Sequence, residues 1–379
     1  MTAKLRLCAL GDISFEGPSA DRPSVDRIGA LAPQLRESDL TIANLECVLA
    51  RTGRGLAGKC TLRGSPDWAP VLRDAGIGLV TLANNHIMDY GPEGLEQTLD
   101  ALRLAGIRYV GAGRNRREAH APLVMEIAGR RVAFLGRSAV IVSAPTYATD
   151  DAPGVAFLDE EETVEAIRSA RGIADLVVLL VHWGIEEYSY PTPSQRRLAR
   201  RFVEAGADAV LGHHPHVLQG FELVGNAPVV YSLGNFAFDE FEWSYAAPDG
   251  SVSRQLSPLS EENRKGAIAT VEWNGQGAPQ VAMAFTRIAA DGRVVPDADP
   301  ARAQEMDRLS ARLHGLWYPA RWRLYSLQRE WQLRLGERMS LRYIVTRLHK
   351  VRPRHIVEAL TSLRRSARIV TERSSNPYE

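Results

Sequence analysis

The stretch Gly206–Phe236, GADAVLGHHPHVLQGFELVGNAPVVYSLGNF, decides how this chain is read. Ala209–Leu211 is a short apolar run, the pattern of a buried strand, and it ends at Gly212 on the cluster His213, His214, Pro215, His216. Neutral imidazole is the commonest side-chain ligand for divalent transition metals, and an H-x-H spacing lets two rings from one loop converge on one centre. Surface histidines in a polar loop are the alternative. Three of the nine histidines fall within four positions just after an apolar strand, which favours ligation.

Working outward, the same arrangement recurs. Leu5–Leu10 reads as a strand followed by Gly11 and Asp12; Leu40–Ala43 is followed by Asn44 and Glu46. Leu79–Leu82 leads into Asn84, Asn85, His86 and Asp89, Leu176–Val181 into His182, Trp183, Gly184 and Glu186, and Val229–Leu233 into Gly234 and Asn235. Six strand ends thus present Asp, Glu, Asn or His, as expected where a sheet gathers ligands from scattered positions. Further strands are expected at Arg131–Leu135, Ala267–Glu272 and Gln280–Phe285. Between strands, Gly91-Pro92-Glu93 opens a helix with Pro at a first-turn position and an acid near the positive dipole end, and Gly106 stops it. Ser194–Ala205, ending at Gly206, is a second helix. Asp239–Gly266 shows no clear period and reads as a long loop, either a lid or a surface excursion.

Composition bounds the class. With 379 residues and 45% hydrophobic content, one large core plus an appendage is expected. Net charge is only +1, yet Asp291–Glu379 carries 18 Lys and Arg against 10 Asp and Glu, a basic tail on a near-neutral body. Cys8, Cys47 and Cys60 are too few for a disulfide framework and lack metal-site spacing. The opening MTAKLRLCALGDISF has no long apolar core of a signal peptide and no window reaches bilayer-spanning length, so a cytoplasmic protein without membrane attachment is expected.

The motifs GDISF, NLE, TLANNHIMDYG, LLVHWGIEEY, GADAVLGHHPHV and YSLGNF together resemble the CapA family of poly-gamma-glutamate capsule synthesis, within the calcineurin-like metallophosphoesterase superfamily. The resemblance covers about Leu5–Phe285. It implies an α/β fold, a four-layer αββα sandwich with a metal site at one edge of the paired sheets, over residues 1–290; residues 291–379 lie outside the resemblance and read from their own residues as a basic, Trp-rich C-terminal helical extension. Carried over by motif, it implies metal ligands Asp12, Glu46, Asn85, His182, His214 and His216, with Glu46 in place of the usual bridging Asp. The implied cofactor is a divalent cation at one or two sites, Ca, Mn or Mg first, with the imidazoles extending the choice toward Fe or Zn. Two departures stand out. Asp12-Ile13-Ser14 lacks the histidine of Asp-x-His, and Asn44-Leu45-Glu46 replaces Gly-Asp, so one half of a two-metal centre is expected to be weakened.

Relatives in that family include epimerases that invert a residue of a ribosomal peptide, such as the tryptophan epimerase of lasso-peptide biosynthesis. Inverting a Cα centre needs an acid and a base on opposite faces, and His86 with Asp89 and His216 with Asp12 are the expected catalytic units. Lys59 and Arg63, in KCTLRGSP, are expected to hold a substrate carboxylate, with Asn44, Glu186 and Tyr188 lining the same site. Peptide epimerisation is therefore the leading reading. Hydrolysis of a phosphate ester or isopeptide bond, with His86 as proton donor, and an accessory role in poly-gamma-glutamate synthesis are the alternatives.

The tail from Ala301 has Leu309, Leu313, Leu316, Trp317, Trp322, Leu324, Leu327, Trp331, Leu333 and Leu335 at near-helical spacing among arginines. Amphipathic helices packing on the body or on a second copy are expected, the alternative being capture of an acidic precursor peptide by its leader. Nothing resembles a nucleic-acid motif. Arg364-Arg365 and TERSSNPYE read as a frayed end.

Overall fold

The computed structural model describes residues 4–17, 19–56, 59–140, 146–246, 252–275 and 277–335. The chain first lays down β1 (Leu5–Ile13), β2 (Leu40–Leu45), β3 (Ile77–Thr81) and β4 (Arg108–Val110), which pair in parallel in that order. A second sheet follows: β5 (Leu123–Ile127), β6 (Arg130–Ser138), β7 (Leu176–His182), β8 (Ala209–His213), β9 (Phe221–Val224) and β10 (Ala227–Val230), in spatial order β9-β10-β8-β7-β6-β5. The chain then returns to the first sheet with β11 (Asn235–Ala237), β12 (Lys265–Trp273), β13 (Gln280–Ile288) and β14 (Val294–Pro296), extending it antiparallel from β1 through β12, β13 and β14.

The layers follow from the period-2 alternation of each strand. On β7, Leu176, Val178 and Leu180 face Leu5, Leu7, Ala9, Ile42 and Leu79 of the other sheet, while Val177, Leu179 and Val181 face helices. A strand buried on both faces reads as a continuous apolar run, and burying each such side chain is worth roughly 1.5–3 kcal/mol. On the outer face of the first sheet, Cys8, Leu10, Ala43 and Val80 pack with Leu72 of α1 (Trp68–Ala75) and Leu95, Leu99 and Leu102 of α2 (Gly91–Leu104). The second sheet is covered by Val164 and Ile167 of α3 (Glu160–Arg171) and Leu198, Ala199 and Phe202 of α4 (Pro193–Ala205). The result is a four-layer αββα sandwich, as expected.

The helix boundaries have local causes. In α4, Thr192 and Gln195 cap one another's backbone N–H groups, Pro193 occupies the first position, and Gly206 at φ +116° ends the helix. This places the helix start one residue before the expected Ser194.

Two expectations need correction. Val229–Leu233 is not one strand: pairing with β8 ends at Val230, and the chain crosses to the first sheet, where Asn235 pairs with Asp12. The crossing needs close backbone approach, since a Cβ on Gly11 would lie 1.9 Å from the Gly234 carbonyl oxygen. Asp239–Gly266 is not a plain loop either. It contains an antiparallel hairpin, Phe241–Ala246 with Val252–Ser257, whose alternating FEWSYA was masked by its polar neighbours. No lid is assigned to it.

The tail continues the body. The division at residue 290 falls in the turn between β13 and β14, and among the described residues two helices follow, α5 (Pro300–Ala311) and α6 (Tyr318–Leu335). Met306 and Leu309 of α5 join the inter-sheet core, and Leu313, Tyr318 and Trp322 join the helix-covered face of the second sheet. Arg364-Arg365 and the final residues lie outside the described residues. Among the described residues no helix is long and apolar enough to cross a membrane.

Candidate metal centre

Parallel strands deliver their C-terminal ends to one edge, and here the two sheets present those ends to each other. Asp12 is the next-to-last residue of β1, Asn44 lies on β2 with Glu46 just beyond it, and Asn84 and Asn85 follow β3; His182 ends β7, and His213, His214 and His216 end and follow β8. The two sheets are joined at this edge by His213, whose Nε2 lies 3.0 Å from the Leu10 carbonyl, and by the His214 backbone N–H, which donates to Asp12 Oδ2 at 3.3 Å.

Most of these side chains are buried and meet directly. His182 Nε2 lies 2.8 Å from Asn85 Oδ1 and 3.4 Å from Glu46 Oε1, and its Nδ1 lies 3.3 Å from the Asn44 amide. His216 Nε2 is 3.6 Å from Glu46 Oε1, and the rings of His182 and His214 are 4.7 Å apart. Three overlapping sets can each hold a cation: Glu46, His182 and His214; Asp12, Glu46 and His216; and Glu186, His214 and His216. Glu46 belongs to two of them, the placement of a bridging carboxylate. The expected ligands Asp12, Glu46, Asn85, His182, His214 and His216 are therefore brought together.

The charges fit a cation. Burial pushes the Glu46 carboxyl well above the usual range, opposed by His216. Burial also favours the neutral form of Asp12, but hydrogen bonding and charge from His216, then His213 and Asn44, hold it below the ordinary carboxylate value. Burial keeps His182 well below the usual imidazole range, and His214 is pushed down to about 4. His216 goes the other way: burial lowers it, yet Glu46 and Asp12 raise it well above an ordinary histidine. Neutral His182 and His214 and ionised Asp12 are already in the forms a divalent cation requires, whereas His216 and Glu46 would each give up a proton as the cation binds. Glu46 Oε1 and His214 Nδ1 are fully buried and make no hydrogen bond among the described residues, a costly state that a bound cation would relieve.

His86 stands apart from the ligand sets. Its Nδ1 lies 2.7 Å from Asp89 Oδ2, so the carboxylate orients the ring and leaves Nε2 to exchange a proton. Asp89 is fully buried and also accepts from the Leu62 backbone N–H at 2.7 Å. Lys59, expected to hold substrate, instead places its ammonium against Asp89 and donates to the Asn85 carbonyl at 2.6 Å. Arg63 is likewise committed, to Asp21 at 3.0 Å and the Ala50 carbonyl at 2.9 Å, because these are the acceptors beside it.

Asn44 and Tyr188 are not placed as substrate contacts. Asn44 is fully buried; it donates to Asp12 Oδ1 at 2.8 Å and accepts from Asn84 at 3.0 Å, which makes it a spacer between ligands. Tyr188 turns away, its hydroxyl on Glu330 and its ring against Trp322 and Tyr325 of α6. Glu186 is exposed at the rim beside His214 and His216. The His216–Asp12 pairing exists at 3.4 Å, but Asn235 Oδ1 is closer to the same nitrogen, at 2.9 Å.

Sequence reading named Asn84 as a strand-end residue without a role; it ties β2 to the loop after β3 through Asn44 and the Leu45 carbonyl at 2.7 Å. Sequence reading missed Asn263, which donates to the His216 carbonyl at 3.2 Å from within the segment read as a loop. Asn84 was legible as a strand-end amide. Asn263 carried no local signal.

Several known proteins are similar to this chain. A capsule biosynthesis protein CapA of Bacillus anthracis is 36% identical over 251 residues, 62% of this chain and 60% of that one. A PGA biosynthesis protein CapA of Bacillus subtilis is 35% identical over 212 residues, 55% of each chain. This chain thus spans about three fifths or less of the length of these relatives. Among solved structures, the NAD nucleotidase of Haemophilus influenzae is similar at 16% identity and TM-score 0.41, over 81% of this chain and 55% of that one. A 5'-nucleotidase of Candida albicans is similar at 12% identity and TM-score 0.43, over 87% of this chain and 57% of that one. The model of the bacterial capsule synthesis protein PGA_cap family matches residues 6–240, so the chain belongs to that family.

Proposed function

We propose that the protein is a metal-dependent enzyme of hydrolase type that acts on a peptide or amino-acid polymer, with His86 as its proton-transfer group. The observation that carries this reading is the buried cluster Asp12, Glu46, Asn85, His182, His214 and His216, in which Glu46 Oε1 and His214 Nδ1 make no hydrogen bond among the described residues, beside a His86 held by Asp89. A divalent cation held there would supply Lewis acidity toward a carbonyl or phosphoryl oxygen. His86, its Nδ1–H held by Asp89, takes a proton at Nε2 from the attacking water as the oxygen bonds to the carbonyl carbon or phosphorus, and gives that proton to the leaving group as its bond to the same atom breaks. Lys59, pressed on Asp89 and on the Asn85 carbonyl, holds both the His86 partner and the Asn85 ligand in place. The polymer class rests on the names of the relatives, which concern capsule and PGA biosynthesis.

A second reading, inversion of a peptide Cα centre, is favoured by the His216–Asp12 contact, a second imidazole–carboxylate unit near His86–Asp89. One experiment separates the two. The Mn2+-loaded protein is incubated in D2O with poly-gamma-glutamate and with a model phosphodiester. Chain shortening or ester cleavage that falls about 100-fold or more in His86→Gln, with Mn2+ affinity unchanged, supports hydrolysis. Deuterium at Cα without cleavage supports inversion, and neither product in any candidate substrate sinks the enzymatic reading.

A further inference from the structure

The loop after β7 carries Glu186 and then Glu187, and its backbone is unusual. Glu187 has φ +66°, and His214 and His216 in the facing loop have φ +99° and +58°, so three of the four non-glycine residues with left-handed backbone among the described residues adjoin the cluster. Such conformations persist only where the surroundings over-determine them. For Glu187 those surroundings are four contacts from three residues. Its N–H donates to the Pro215 carbonyl at 2.9 Å, inside the His-Pro-His turn. Its Oε1 accepts from Asn263 Nδ2 at 2.7 Å, and the same amide donates to the His216 carbonyl. Its own carbonyl accepts from Arg329 Nε at 3.0 Å, and its Oε2 lies 3.3 Å from Arg329 Nη2. Arg329 belongs to α6, more than a hundred residues further along the chain, and grips Glu187 at backbone and side chain together.

The path continues to the ligands. Asn263 accepts, through its carbonyl, from Asn235 Nδ2 at 3.0 Å, and Asn235 Oδ1 meets His216 Nδ1 at 2.9 Å. Neighbouring contacts fix α6 to the same loop: the Ser189 N–H donates to the Tyr325 hydroxyl at 2.8 Å, and the Tyr318 hydroxyl donates to the Pro191 carbonyl at 2.6 Å.

We infer that Arg329, on the C-terminal helix, is a positioning residue of the cation site: through Glu187 and Asn263 it holds the Glu186 and His216 side of the cluster in ligating form. The inference rests on the proposed reading of that cluster as a cation site. It makes the tail part of the site and not a passive cover.

The test uses the full chain, titrated calorimetrically with Mn2+, together with melting in EDTA and in Mn2+. Arg329→Met is expected to weaken Mn2+ binding about 10-fold or more, as lost support of metal ligands does, and to shrink the Mn2+-induced rise in Tm. Arg329→Lys, which keeps the charge without the two-pronged grip, should fall between it and the unaltered protein, and Glu187→Gln should weaken binding as well. Arg323→Met, on the exposed side of α6, should bind as the unaltered protein does. Should Arg329→Met melt early in EDTA, Arg329→Lys and Glu187→Gln carry the measurement. Binding by all Arg329 and Glu187 variants within twofold of the unaltered chain overturns this inference alone. No Mn2+ binding by the unaltered chain overturns the cation reading and this inference with it.

Discussion

The half of the site built on the first sheet and the half built on the second are held by different means. Asp12, Asn44, Glu46 and Asn84 stand at or next to the ends of neighbouring strands, and their side chains brace one another: Asn84 donates to Asn44, and Asn44 to Asp12 and, at 3.4 Å, to Glu46. On the other side, His214 and His216 sit in left-handed backbone, and His216 is held by residues brought from elsewhere, namely Asn235 and Asn263, the latter shared with Glu187, which Arg329 grips. The first half is set by strand register and a ladder of amides. The second is strained locally and relieved by contacts from late in the chain, so its geometry is open to adjustment by the tail.

The largest effect is expected on removing a ligand of the second sheet that meets the first brace through Asn44, at 3.3 Å. His182→Ala should abolish the thermal stabilisation by cation, which for the unaltered protein at about 100 times Kd amounts to ~2.7 kcal/mol; differential scanning calorimetry with and without Mn2+ reads it. Next in size is a paired substitution. Asn44→Ala should cost about 1–3 kcal/mol in EDTA, because it leaves buried Asp12 and Asn84 groups unsatisfied, and weaken Mn2+ binding about 10- to 100-fold. Asn235→Ala should weaken binding similarly at a smaller stability cost. Equal stability costs from urea midpoints would show that the two halves are braced alike.

The smallest effect concerns an imidazole outside the cluster, which gives a reference for burial alone. His120 is pushed down to about 4 by burial, then by Arg137 and Arg116. Its folded value lies below the unfolded one, so between about pH 6.5 and 4 the unfolded chain takes up the proton first and stability falls as pH falls. His120→Gln should flatten that part of the urea-midpoint profile, and an unchanged slope would remove His120 as its source.

Much of this was legible along the chain because the signals are local. The runs Leu5–Leu10 and Leu176–Val181 announce strands buried on both faces, and the polar residues just past them announce the edge where a site can form. Where a side chain's role depends on a distant partner, the reading went astray. Lys59 and Arg63 look like free cations in KCTLRGSP, yet Asp89 and Asp21 take them up. Tyr188 follows the site motif by sequence but is claimed by α6, and Asn263 lies in a segment without period whose hydrogen bonds reach His216 and Glu187.

By itself the sequence determined the long apolar strands, the sheet edge and the residue types that gather there, since hydrophobic period and strand-end chemistry are properties of a few adjacent residues. The tertiary structure alone decided which of those polar groups face one another across the two sheets and which are neutralised by neighbours. It also decided that a helix near the far end of the chain reaches back to the histidine loop. Those outcomes depend on how two sheets stack and where the chain crosses between them, and no window of sequence contains both partners.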